Sequence, residues 1–244
     1  MDISNYTDKQ AMKIDILTLF PEMFKGPFSE SILKKAQEKG IIDIKVYNIR
    51  DWAKDKHKMA DDRPYGGGPG MVLMIEPIDR AIAELTTHNL QLTTRVILLD
   101  PAGKTFNQKE AERLVKYDHI ILICGHYKGI DERIREHLVD EEISVGDFVV
   151  TGGEIPAMIV VDATVRLIPG VIGKEESLKK ESFSDFDEPG VPRLLGFPQY
   201  TRPEEYKGWK VPEMLLGGNH KEILRWRIKV ATKRTKERRP DLLK

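Results

Sequence analysis

Two short apolar runs, at residues 96–99 and 120–124, constrain this chain more than any other feature. Neither contains a polar residue, and both have the length of a strand rather than of a buried helix. Strands without polar alternation are covered on both faces, which is the signature of a parallel sheet. Between them Asn107 stands three residues ahead of Glu110, the spacing of a helix cap with its capping-box partner. Strand, helix and strand in this order predict an α/β fold built on a parallel sheet. Around that unit, residues 14–20 read as a strand ended by Pro21, and residues 29–39 as a helix with Gly40 just past its end. Ile42, Ile44 and Val46 alternate with Asp43 and Lys45, as in a half-buried strand. Residues 77–85 read as a helix with proline in its first turn, and residues 148–150 as a further strand. The stretch 155–168 is a helix too apolar to face water, so it is central or buried in an oligomer interface.

Composition narrows the class. With 244 residues, 40% hydrophobic and 32% charged, the chain is ordinary globular material for one large domain or two small ones. No stretch approaches the roughly 18 apolar residues of a membrane span. Residues 1–11 are polar, precede a second methionine, Met12, and lack the basic and apolar regions of a secretory signal. They read as an N-terminal extension. Cys124 is the only cysteine, so the chain can form no internal disulfide and no cysteine-based zinc cluster. A reducing, cytoplasmic location is the simplest expectation. The six histidines show no metal-binding spacing, and no metal ligand is assigned among the side chains.

A net charge of zero hides an asymmetry. Residues 186–244 hold 14 Lys/Arg against 8 Asp/Glu, and residues 221–239 alone hold nine basic residues against two acidic ones. A basic C-terminal piece on an acidic body suggests a polyanionic partner. In the last helix Lys221, Arg225 and Lys229 share one face at i, i+4 spacing, while Ile223, Trp226 and Val230 share another. Residues 173–193, charged and holding Pro189, Gly190 and Pro192, have the composition of a linker. The expected organisation is therefore an extension at 1–11, a ligand-binding domain at 12–172, a linker at 173–193 and a basic domain at 194–244.

Three glycine-bearing segments follow strand ends: 99–103, 125–130 and 144–155. Loops at the carboxyl ends of parallel strands are where such sheets bind ligands, so the three are expected to converge on one pocket. A fourth segment, Asp-Asp-Arg-Pro-Tyr-Gly-Gly-Gly-Pro-Gly-Met at 61–71, cannot be a helix interior or a central strand. It is either a tight connection or a loop that offers backbone N–H groups to a ligand.

This glycine loop, Cys-Gly-His-Tyr-Lys-Gly-Ile-Asp-Glu-Arg at 124–133 and Gly-Asp-Phe-Val-Val-Thr-Gly-Gly-Glu-Ile-Pro-Ala at 146–157 resemble the signature stretches of the bacterial tRNA (guanine-N1)-methyltransferase family, TrmD, of the SPOUT superfamily. Leu-Phe-Pro-Glu-Met-Phe at 19–24, Arg-Leu-Ile-Pro-Gly-Val at 166–171, Pro-Gln-Tyr-Thr-Arg-Pro at 198–203, Val-Pro-Glu at 211–213 and Gly-Asn-His at 218–220 extend the likeness from Met12 to the end. The resemblance implies a SPOUT-type parallel sheet whose chain is threaded into a deep trefoil knot, plus a small, mainly helical C-terminal domain that binds tRNA. It implies a homodimer with shared active sites, S-adenosylmethionine as methyl donor, and N1 of guanosine 37 beside the anticodon as acceptor. Two other readings stay open: a SPOUT methyltransferase for another RNA position, and a catalytically silent RNA-binding homologue.

The resemblance also distributes roles. Arg166 matches the arginine that stabilises charge on the guanine O6. Glu181 stands where the family usually has an aspartate as general base. Leu99, Pro101, Gly125, Gly129, Val145, Gly146, Asp147, Phe148, Val149 and Val150 are the implied cofactor contacts. Tyr65, Gly67, Gly68, Pro69, Gly70, Arg202, Asn219 and His220 are the implied substrate contacts. Lys128 stands where the family commonly has a glutamate linked to the magnesium that supports catalysis. A protonated lysine cannot ligate a hard cation, so the magnesium requirement is open for this chain. Lys128 could serve a phosphate or the methionine carboxylate instead, or have no role. The linker at 184–193 also looks several residues longer than is usual for the family.

Overall fold

The computed structural model describes residues 10–173, 179, 181–184 and 191–243. Most of the expected extension, and much of the expected linker with its added residues, lie outside them. The chain divides into two compact units, Met1–Gly173 and Lys174–Lys244.

The first unit is α/β. Its elements run β1 (Met12–Thr18), α1 (Lys25–Phe28), α2 (Ser31–Glu38), β2 (Ile42–Asn48), β3 (Asp61–Asp62), β4 (Val72–Leu73), α3 (Ile75–Thr87), β5 (Thr94–Thr105), α4 (Gln108–Leu114), β6 (His119–Cys124), α5 (Glu132–His137), β7 (Glu141–Ser144) and α6 (Glu154–Val165). Five strands form a sheet in the order β2-β1-β6-β5-β7, and every pairing is parallel. The apolar run at 120–124 falls in β6, the middle strand, where all six residues are buried. Alternate side chains feed two cores. Ile97, Leu99, Leu122 and Cys124 pack with Val160 and Val161 of α6, whereas Leu98, Ile121 and Ile123 pack with Ile78 and Ala81 of α3. Each fully buried aliphatic side chain contributes about 1.5–3 kcal/mol, so both faces must stay apolar for the sheet to persist. The polar start of β6 is satisfied internally: the His119 ring bonds Asp15 at 2.8 Å and Thr94 at 3.2 Å.

Two expectations are corrected. Residues 148–150 form no strand; Phe148 and Val149 are exposed, and Gly146 takes a positive φ of 148° that turns the chain away from extended pairing. The strand at that edge of the sheet is β7, four residues earlier, with only Ile143 and Ser144 fully buried. The capping box at α4 is half used. Asn107 Oδ1 accepts from the Lys109 and Glu110 N–H groups at 3.0 and 3.3 Å. Glu110 does not turn back to complete the box. Its carboxylate binds Lys104 at 2.5 Å and Arg113 at 2.8 Å, and Arg113 reaches Glu141 of β7 at 2.6 Å. The hydrogen bond from Lys104, with Arg113 behind it, holds the Glu110 carboxyl below its ordinary range. β5 carries a bulge: Leu99 and Lys104 both face Ile143, and residues 100–103 loop out between them.

The second unit contains a short hairpin, β8 (Glu205–Tyr206) with β9 (Trp209–Lys210), and the long helix α7 (His220–Arg238). Its small core is Leu194, Phe197 and Ala231, flanked by Val191, Ile228 and Leu243. Thr235 accepts from Leu195 N–H at 2.9 Å and donates to Ala231 O at 2.8 Å, and Arg234 donates to Gly196 O at 3.0 Å. The buried stripe of α7 is thus Ala231 and Thr235; Ile223, Trp226 and Val230 are only half-buried beside it. Lys221, Arg225 and Lys229 are exposed. Among the described residues no helix is long and apolar enough to cross a membrane.

Candidate active site

Because the strands are parallel, the loops after β5, β6 and β7 leave the same edge of the sheet. They enclose one pocket. Leu99, Asp100 and Pro101 come from the β5 bulge, residues 125–129 from the turn after β6, and residues 143–146 and 148–153 from β7 and the loop beyond it; Pro156 of α6 closes the wall. The turn after β6 is held by backbone bonds. Gly153 N–H donates to Gly125 O at 2.8 Å, and Gly129 N–H to His126 O at 3.0 Å. A β-bridge joins His126 to Gly152. Asp131 then caps α5, accepting from Arg133 N–H at 3.0 Å and from its guanidinium at 2.6 Å. That guanidinium keeps the Asp131 carboxyl below its ordinary range.

Gly152 and Gly153 of the wall are steric necessities. A Cβ on Gly153 would lie 2.7 Å from Cys124 Cα and 3.0 Å from Gly125 N, and one on Gly152 would overlap His126 and Glu154. Beneath this wall is a buried polar group. Glu154, 1% exposed, accepts from Thr18 Oγ1 at 2.7 Å, and its other oxygen lies 3.7 Å from His126 Nδ1. Thr18 Oγ1 in turn accepts from Phe20 N–H at 2.9 Å. Burial, with the Glu154 charge as a lesser cause, pushes the Cys124 thiol well up, so it is a core thiol rather than a nucleophile. Thr18, Asp100, Ser144, Thr151 and Glu154 were not singled out from sequence. Only the Gly152-Gly153-Glu154 run carried a usable signal, since a carboxylate after two glycines can be drawn under a tight turn.

The structure brings Leu99, Pro101, Gly125, Gly129, Val145, Gly146, Phe148, Val149 and Val150 together in this pocket. Asp147 lies in the same loop but outside the lining. Tyr65 is fully exposed, and Gly67, Gly68, Pro69 and Gly70 are exposed in the glycine loop. That loop returns to the pocket through β4: Lys128 N–H donates to Met71 O at 3.1 Å and Leu73 N–H to Gly129 O at 3.0 Å. Arg166 follows the last turn of α6, is half-buried, and lies outside the pocket lining. Glu181, Arg202, Asn219 and His220 belong to the second unit. Glu181 is half-buried, and its main-chain oxygen accepts from Ser184 Oγ at 2.9 Å. Asn219 caps α7, accepting from Glu222 N–H at 3.4 Å; His220, the first helical residue, and Arg202 are exposed.

The pocket's donors fit an extended organic ligand better than a hard cation. Glycine-walled backbone gives close approach to main-chain groups. Of the carboxylates nearby, Asp100 is engaged by Arg135 at 2.9 Å, and Glu154 is buried under Gly152. Among the described residues no three His, Cys, Asp or Glu side chains group as metal ligands. A magnesium ion is commonly held by one or two carboxylates together with water and substrate oxygens, and the one carboxylate in the pocket lining is Asp100.

Comparison with known proteins decides the family. The family model described as tRNA (Guanine-1)-methyltransferase TrmD matches residues 12–244. The chain belongs to that family. Among its curated relatives, a tRNA (guanine-N(1)-)-methyltransferase of Dictyoglomus turgidum is 56% identical over 232 residues, covering 95% of this chain and 90% of the relative. Proteins of the same name from Carboxydothermus hydrogenoformans and Bacillus subtilis are 56% and 55% identical, covering 96% of this chain and 88% and 93% of their own lengths. The expected recognition therefore holds: the chain is an enzyme of tRNA modification, a tRNA (guanine-N1)-methyltransferase of the TrmD family.

Proposed function

We propose that the enzyme moves a methyl group from S-adenosylmethionine, held in the pocket at the β5–β7 strand ends, to N1 of guanosine 37 in tRNA. The observation that carries this reading is the convergence of three glycine-bearing loops on one pocket, in a chain matched to the TrmD family from Met12 to its end. The donor supplies an activated methyl on a sulfonium. The acceptor is the harder partner, because N1 carries a proton and lies on the Watson–Crick edge, so the base must be unstacked into a pocket. Glu181 takes the N1 proton as general base. Arg166 stabilises the charge that develops on O6 as the proton leaves. The glycine loop at 65–70 closes over donor and guanine.

The enzyme acts as a cytoplasmic homodimer in which both protomers contribute to each active site. Ile155 and Ile159, exposed at i, i+4 on the mostly buried α6, support an apolar contact between copies. The basic face of α7 presents the RNA-binding surface of a C-terminal tRNA-binding domain, with Arg202, Asn219 and His220 near the substrate. The SPOUT reading further implies that the chain after β6 is threaded as a trefoil knot; the return of Gly153 onto Gly125 is consistent with that path.

Labelled methyl transfer from S-adenosylmethionine to unmodified tRNA transcripts carrying G or A at position 37 tests this. The expected result is transfer to the G37 transcript alone. Equal labelling of both would place the target elsewhere in the RNA. Binding of tRNA without transfer to either would favour a silent RNA-binding protein.

A further inference from the structure

We infer that Lys128 is the anchor for the carboxylate of the methyl donor, a positioning role filled in this chain by an ammonium group. The inference rests on the reading of the strand-end pocket as the donor site. Three side chains in the lining can carry charge: Asp100, His126 and Lys128. Asp100 is neutralised by Arg135 at 2.9 Å. His126 is turned inward, its Nδ1 buried 3.7 Å from Glu154. Lys128 is exposed at the rim and, among the described residues, has no salt-bridge partner. Its cationic neighbours on the same segment are spoken for, since Arg133 pairs with Asp131 and Arg135 with Asp100, Glu132 and Glu142. Among the described lining side chains, Lys128 is therefore the one cation without a salt-bridge partner.

The stem of Lys128 has a defined bed. It lies along the glycine loop, with Cγ, Cδ and Cε 3.0–3.2 Å from where a Cβ on Gly70 would be, and Nζ 3.6 Å from that of Gly68. Gly70 also has a φ of 98°, which other residues rarely adopt. Loop and lysine are thus mutually fitted, and the lysine backbone is pinned by its bond to Met71 O. A cation held between the pocket and the loop meets a carboxylate entering with the donor, and its ammonium makes a charge-assisted hydrogen bond there. An RNA phosphate would offer a similar charge, but Lys128 lines the small-molecule pocket itself, which favours the carboxylate.

Calorimetry with two probes tests this: S-adenosylhomocysteine, and its decarboxylated form, which lacks only the carboxylate. For wild type the first should bind more tightly. Lys128→Gln should weaken S-adenosylhomocysteine about tenfold and leave the decarboxylated probe unchanged, while Lys128→Arg should retain the wild-type preference. Equal weakening of both probes would mean that Lys128 only supports the loop, and would overturn the proposal. So would unchanged binding of both, and a loss confined to tRNA binding would assign the ammonium to an RNA phosphate. If wild type binds neither probe, the donor-site reading itself fails.

Discussion

Glu181→Gln should lower methyl transfer about 10²- to 10⁴-fold, the usual contribution of a positioned general base, while S-adenosylhomocysteine binding stays intact. Arg166→Ala should cost about 10²- to 10³-fold, as when a charge-stabilising donor is removed. Neither residue lines the strand-end pocket, so a selective loss of rate is expected rather than a loss of donor affinity. The pairing of the two has a sharper consequence. If both protomers contribute to each site, then mixing inactive Glu181→Gln with inactive Arg166→Ala protein lets exchanged dimers form one intact site. Activity should reappear on mixing, read as labelled methyl in tRNA. No recovery, with subunit exchange verified, would mean that each protomer works with its own Arg166 and Glu181. Full turnover by Glu181→Gln alone would remove it from the reaction.

Gly153→Ala should be a strongly damaging small substitution at the pocket wall. The added methyl would lie 2.7 Å from Cys124 Cα and 3.0 Å from Gly125 N, both main-chain atoms of the central strand and its turn. Neither can move without breaking the Gly153 N–H to Gly125 O bond that closes the pocket wall. Overpacking of this kind costs about 1–3 kcal/mol or more, and the donor pocket should be lost with it. Gly26→Ala is the control: it sits in α1 with nothing within 4 Å of the added atom. That change should be neutral or slightly stabilising, by up to about 1 kcal/mol. Thermal unfolding and S-adenosylhomocysteine binding on the two variants check both halves. A Gly153→Ala protein with wild-type stability and donor affinity would refute the steric account.

The parallel sheet was legible because its strands are buried on both faces. Residues 96–99 and 120–124 had to be apolar without interruption, and that pattern has one common meaning. β7 was not legible. Its sequence, Glu-Glu-Ile-Ser, is polar because Arg95, Arg113 and Arg135 supply partners from neighbouring elements. Residues 148–150 misled for the converse reason: Phe-Val-Val has strand composition, yet it is drawn into a loop at the pocket by Gly146. The site was legible where glycines mark strand ends, and there the loops meet as expected. Thr18 and Glu154 were invisible, because a buried hydrogen bond across 136 residues leaves no local pattern. Asn219 shows how one residue fits two readings: it was singled out for substrate, and the structure gives it a helix cap.

The most direct measurement is the identity of the methylated nucleoside. Transfer of methyl to a G37 transcript, followed by digestion to nucleosides and mass spectrometry against authentic standards, should yield N1-methylguanosine alone, derived from position 37. Methyl found on another atom of guanine, on a ribose, or at another position would contradict the account and point to a different RNA methyltransferase built on the same pocket.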